Sequence, residues 1–218
     1  SIEATRGEEE RILDLGNYME APSFESQETT LASWGDEISG SIIGTRGFDV
    51  EHSHAGDAAM KIHIIDSVGA DNFGVSQITA VSSFVPGDVV SSGVWVKVTS
   101  RSGAIASFEV QFLDSDLRIL EIHRVEEKAI TPGFMPLRLE NLIAPLQTDR
   151  IRVRLLGRTA EAGQQLTVYW DAVVLGRGSS IEATRGEEER ILDLGNYMEA
   201  PSFESQETTL ASWGDEIS

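Results

Sequence analysis

The chain has 218 residues, 40% of them hydrophobic and 24% charged, which supports a packed core and excludes a disordered protein. A formal charge of −19 argues against nucleic acid as a partner, because phosphate-binding proteins usually carry a basic face, and the absence of cysteine excludes thiol catalysis, thiolate metal sites and disulfides. No apolar run approaches the roughly 18 residues of a membrane span and no basic-then-apolar leader precedes the body, so no membrane insertion is expected.

Residues 1–39 and 180–218 are the same sequence without one change, which leaves 179 unique residues. Folding tolerates many sequences for one element, so identity over this length reflects genealogy or engineering. The reading adopted is a tandem array with a 179-residue period; a designed duplication or a cloning scar is the alternative. Each copy holds ten acidic residues against Arg6 and Arg11, so the two copies carry −16 of the −19 and the middle is nearly balanced. The expected organisation is an acidic connector over 1–15, a β domain over 16–178, and the start of the next repeat over 179–218.

Along the chain, Thr5 to Leu15 reads as a short acid-started helix or a charged extended connector, and from Asn17 onward the pattern is β. Met60, Ile62 and Ile64 share one face of a strand. Val75, Ile78 and Val81 mark a less regular strand, followed by a turn at Val85-Pro86-Gly87-Asp88. Val94, Val96 and Val98 oppose Trp95 and Lys97, and Phe108, Val110 and Phe112 oppose Glu109 and Gln111. Asp114-Ser115-Asp116 reads as a hairpin turn, Ile151, Val153 and Leu155 alternate with Arg152 and Arg154, and Leu166 to Leu175 forms a long apolar strand ended by Gly176 and Gly178. About eight strands separated by Gly, Pro, Asp and Ser turns predict an all-β, jelly-roll β-sandwich with a charged inter-module connector.

Four ordered motifs over about residues 16–176 resemble the jelly-roll carbohydrate-binding modules attached to xylanases and cellulases. Asn17 to Glu25 followed by Trp34 is similar to their opening "N-x-S/G-F-E…W", and His54 to Ile62 resembles their "S-G-x-x-A-L-K-V" strand. Gln77, Phe84-Val-Pro-Gly-Asp and Val94-Trp-Val-Lys resemble their "Q-x-V…P-G…W-V-K", and Tyr169 to Leu175 resembles the closing "v-y-i-D-D-V-x-L", with Ala172 where the family often has a second Asp. The resemblance implies a structural calcium between the first and last strands, with Glu25 and Asp171 at the motif positions and Asp57 nearby. A carboxylate role satisfying backbone donors at strand ends is the alternative.

A polysaccharide site needs an aromatic plate beside hydrogen-bonding side chains. Trp95, Lys97, Glu109, Gln111, Arg152 and Arg154 all lie on the non-core side of their strands by alternation, so one shared sugar-binding face is expected, with a solvated or packing surface as the alternative. Trp34 and Trp170 read as core. His52 and His54 share a face but lack a third zinc ligand, so they are expected to be an exposed polar pair. No phosphate loop, nucleophile elbow or zincin motif occurs, and an enzyme is not expected.

Two functions follow as expectations. The first is a structural module of an extracellular array, stalk or filament, joined to other copies through the repeated segment, with Tyr197, Met198, Phe203, Leu210 and Trp213 as the assembly residues. The second is a carbohydrate-binding module of a secreted polysaccharide-degrading or adhesive protein. The exact repeat favours the first and the ordered motifs the second.

Overall fold

Alternation of apolar and polar residues fixes which side of the inner strands faces inward, and ten antiparallel strands form two sheets packed on those sides. In a computed structural model that describes residues 17–19, 24, 32–54 and 57–179, they are β1 (Gly35–Ser39), β2 (Ile43–Asp49), β3 (Ala59–Asp66), β4 (Asn72–Ile78), β5 (Val89–Ser102), β6 (Ile105–Leu113), β7 (Ile119–Glu127), β8 (Met135–Ile143), β9 (Arg150–Arg158) and β10 (Gln165–Arg177). One sheet has the order β1-β4-β9-β6-β7 and the other β2-β3-β10-β5-β8. This is the expected jelly-roll β-sandwich.

The core is the one that the alternation predicts. Met60, Ile62 and Ile64, Val94, Val96 and Val98, Phe108, Val110 and Phe112, and Ile151, Val153 and Leu155 are all buried between the sheets, with Trp34 and Trp170 among the largest wholly buried side chains. The irregular run divides: Val75 is core, Ile78 points outward beside Arg152, and Val81 is exposed in a turn. The Val85 turn closes through Asp88, whose carboxylate accepts from Val85 N at 3.0 Å. Asp114 likewise caps the β6–β7 hairpin, accepting from Asp116 N and Arg118 N at 2.9 Å each.

The first repeated segment docks along the end of β10. Asn17 donates from Nδ2 to Val173 O at 2.9 Å and accepts at Oδ1 from Leu175 N at 3.0 Å, while Tyr18 N donates to Leu175 O at 2.8 Å. The Tyr18 ring lies against Phe84 and its hydroxyl accepts from Arg177 Nη1 at 2.8 Å. Phe24 packs on Trp34 with ring centroids 5.4 Å apart, both wholly buried, and β1 then pairs with β4. The connector (1–15) and the whole second copy, including Tyr197, Met198, Phe203, Leu210 and Trp213, lie outside the described residues.

Candidate functional site

The six residues expected to share a face occupy opposite outer faces of the sandwich. Glu109 and Gln111 on β6 sit directly across from Arg154 and Arg152 on β9, in the sheet that begins with β1. Trp95 and Lys97 are on β5, in the other sheet. Alternation separates inside from outside but carries no information about which sheet a strand joins, and that is why the single face divides.

The first face is a network of guanidinium and carboxylate groups. Glu109, only 1% exposed, accepts from Arg124 Nε at 2.7 Å, Arg154 Nη1 at 2.8 Å and Gln111 Nε2 at 3.2 Å. Arg154 reaches on to Glu37 of β1 at 3.0 Å, so one guanidinium ties β1 to the middle of the sheet. Arg158 similarly joins Glu126 at 3.0 Å and Asn72 Oδ1 at 3.1 Å. Arg152 differs: it meets Gln111 Oε1 at 3.4 Å and has no carboxylate partner among the described residues. Ser107 Oγ and the Nε atoms of Arg152 and Arg154 are buried on this face without a hydrogen-bond partner among the described residues. Such orphaned groups carry a desolvation penalty. Glu37 and Arg124 were not singled out from the sequence, because β1 and β7 show too little alternation to place them; Ser107 shares the outward side of β6 with Glu109 and was passed over as a small polar residue.

The second face holds aromatic side chains. The chain after β2 folds over it, held by Asp49, whose Oδ1 accepts from Glu51 N and His52 N at 3.0 Å each. Burial pushes the Asp49 carboxyl up, but the His52 imidazole, the Glu51 N–H and the Lys61 ammonium outweigh this and hold it below the usual carboxylate range. His52 stacks on Tyr169 at 4.4 Å and His54 on Trp95 at 3.7 Å between centroids. Lys97 Nζ stands 5.9 Å from the Phe134 ring centroid. The two histidines are therefore ring-stacked and only partly exposed, not the exposed polar pair expected, and His54 already covers part of the Trp95 plate.

Calcium was expected at Glu25, Asp57 and Asp171. Glu25 lies outside the described residues, Asp57 is exposed, and Asp171 is wholly buried. Asp171 Oδ2 accepts from His54 N at 2.6 Å and Oδ1 from Ala172 N at 2.7 Å, so both oxygens serve backbone donors. Among the described residues no group of three or more His, Asp or Glu is arranged to hold a metal. The described donors thus fit a structural carboxylate better than a six-to-eight-oxygen calcium site. Asp171→Asn is expected to lower the melting temperature by the same amount in calcium and in chelator; a loss confined to calcium would establish the metal, since a ligand of the native state stabilises in proportion to its concentration.

No protein-family model matches the chain, and no curated protein does. Solved structures do match. The enzymatically active domain of bacteriophage CBA120 tailspike protein 4 is 20% identical with a TM-score of 0.53; the match covers 74% of this chain but 21% of that one. The C-terminal family 22 carbohydrate-binding module of Clostridium thermocellum Xyn10B is 13% identical with a TM-score of 0.52, covering 74% of this chain and 94% of the module. A carbohydrate-binding module of the β-sandwich superfamily, described as promiscuous in specificity, is 16% identical with a TM-score of 0.51, covering 74% and 62%. The fold is that of jelly-roll carbohydrate-binding modules. At these identities the likeness concerns fold alone, and the chain spans about a fifth of the tailspike domain.

Proposed function

We propose that the chain is a non-catalytic, extracellular polysaccharide-binding module, and that its glycan lies across the Glu109, Gln111, Arg152 and Arg154 face. The observation that carries this reading is Arg152, which lacks a carboxylate partner among the described residues while its neighbours are locked by ion pairs; Glu109 and Gln111, each only 1% exposed, hold the guanidinium groups and do not themselves meet the glycan. Fixed donors and acceptors suit recognition of sugar hydroxyls, because little side-chain freedom is lost on binding. The fold's likeness to carbohydrate-binding modules supports the class of ligand. Trp95 and Lys97 on the opposite face are a separate and already partly covered surface.

Affinity electrophoresis through xylan, glucan, galactan and uronate-containing gels tests this. Retardation of the parent chain by at least one glycan is expected, with Arg152→Ala reducing it and Trp95→Ala leaving it unchanged. Loss on Trp95→Ala with Arg152→Ala silent would move the site to the other face, and no retardation on any gel would remove the reading for those glycans.

A second reading concerns arrangement: the module is one unit of an array or stalk in which residues 180–218 begin the next unit. The specific observation behind it is that Asn17, Tyr18, Phe24, Trp34 and β1 of the first copy are integral parts of the sandwich, so an identical segment carries the chemistry to begin another. Further 179-residue copies in the coding sequence on either side would support it, and unrelated flanking domains would count against it.

A further inference from the structure

The cleft that receives the first repeated segment is built from the end of β10 (Val173, Leu175, Arg177), from Phe84 and Gln77, and from the side of β4 on which β1 pairs. Every group that fills it has an identical counterpart in the second copy: Asn196 for Asn17, Tyr197 for Tyr18, Met198 for Met19, Phe203 for Phe24, Trp213 for Trp34, and 214–218 for β1. The chain therefore owns one cleft and two chemically identical inserts.

We infer that either copy completes the same sandwich, so that the chain is its own circular permutant: residues 40–179 form an invariant body, and residues 1–39 or 180–218 supply the insert and the edge strand β1. Reach permits this. Arg177, the last residue of β10, already touches Tyr18, so the second copy has to return to a point beside its own origin. The 18 residues from 179 to 196 span at most about 60 Å when extended, and closing a loop of this length costs little more than closing a shorter one. Exchange between chains gains nothing in contacts, because each neighbour's cleft has its own insert and the contacts formed equal those broken. The intramolecular exchange has the advantage of effective concentration. The inference is independent of glycan binding.

Four full-length chains test it: the parent, Trp34→Ala, Trp213→Ala and the double variant. Trp34 is wholly buried, and truncating a buried tryptophan in a domain of this size should lower the melting temperature by about 10 °C when no replacement exists. Each single variant is expected to melt with the parent, and the double variant to melt about 10 °C lower or not to fold. In Trp34→Ala, Trp213 should also gain protection from acrylamide quenching. Trp34→Ala melting as low as the double variant would overturn the inference, and so would a double variant that melts with the singles. The single-variant melts should not depend on protein concentration. A Trp34→Ala melt that rises with concentration would place the rescuing copy on another chain and overturn the intramolecular exchange.

Discussion

Replacing Gly74 by alanine is expected to prevent the chain from reaching a cooperative fold, or to move its urea midpoint far lower. A Cβ at this position would sit 2.0 Å from Leu155 O and 2.9 Å from Leu156 Cα, both backbone atoms of β9. No rotamer change relieves a clash between two backbones, so β4 has to move away from the strand it is bonded to. Overpacking ordinarily costs about 1–3 kcal/mol, and this case belongs at or above the upper end because β4 also carries β1 on its other edge. The loss should therefore include β1, detected as early proteolysis within Gly35–Ser39. An alanine variant with a parental urea midpoint would mean that β4 and β9 adapt freely, and the register described here would need revision.

The second large effect is expected at Glu109. Removing one partner of a buried ion pair leaves an uncompensated charge, at about 3–5 kcal/mol. Glu109→Ala strips Arg124 of its carboxylate and Arg154 of one of two. The Arg124 side chain is 36% exposed and regains water, and Arg154 keeps Glu37, so the lower end of that range, about 3 kcal/mol, is the expected loss of stability. Glu109→Gln preserves the shape and one oxygen acceptor and should lose less. Chemical denaturation with the two variants side by side separates charge from shape: equal losses would mean that packing, not pairing, holds the residue there. Glycan retardation should fall more in Glu109→Ala than in Glu109→Gln, because only alanine leaves Arg154 across from a vacated position.

The strands legible in the sequence are the inner ones of each sheet. Met60-Ile62-Ile64, Val94-Val96-Val98, Phe108-Val110-Phe112 and Ile151-Val153-Leu155 announce β3, β5, β6 and β9, each with a neighbour on both sides. The four strands that the alternation does not announce, β1, β2, β7 and β8, are the four sheet edges. An edge is protected by charge and irregularity and not by a second neighbour, so β1 reads Gly-Asp-Glu-Ile-Ser and β7 carries Glu121, Arg124, Glu126 and Glu127. The candidate site was half legible for the same reason. Glu109 and Arg154 were found through their strands, but their partners Arg124 and Glu37 stand on edges. The stacking of His54 on Trp95 depends on a loop crossing the sheet, which no local pattern encodes.

The contact between Arg177 and Tyr18 puts the point where the chain enters the sandwich beside the point where it leaves. In a string of such modules under mechanical load, tension entering at Asn17 would pass to β10 through the bonds to Val173 and Leu175 without crossing the space between the sheets. Each sandwich would then hang from the line of force like a pendant instead of lying along it as a link. Its yield point would be set by the few hydrogen bonds and the cation–π contact around Tyr18, while the apolar interior would remain unloaded until those had parted.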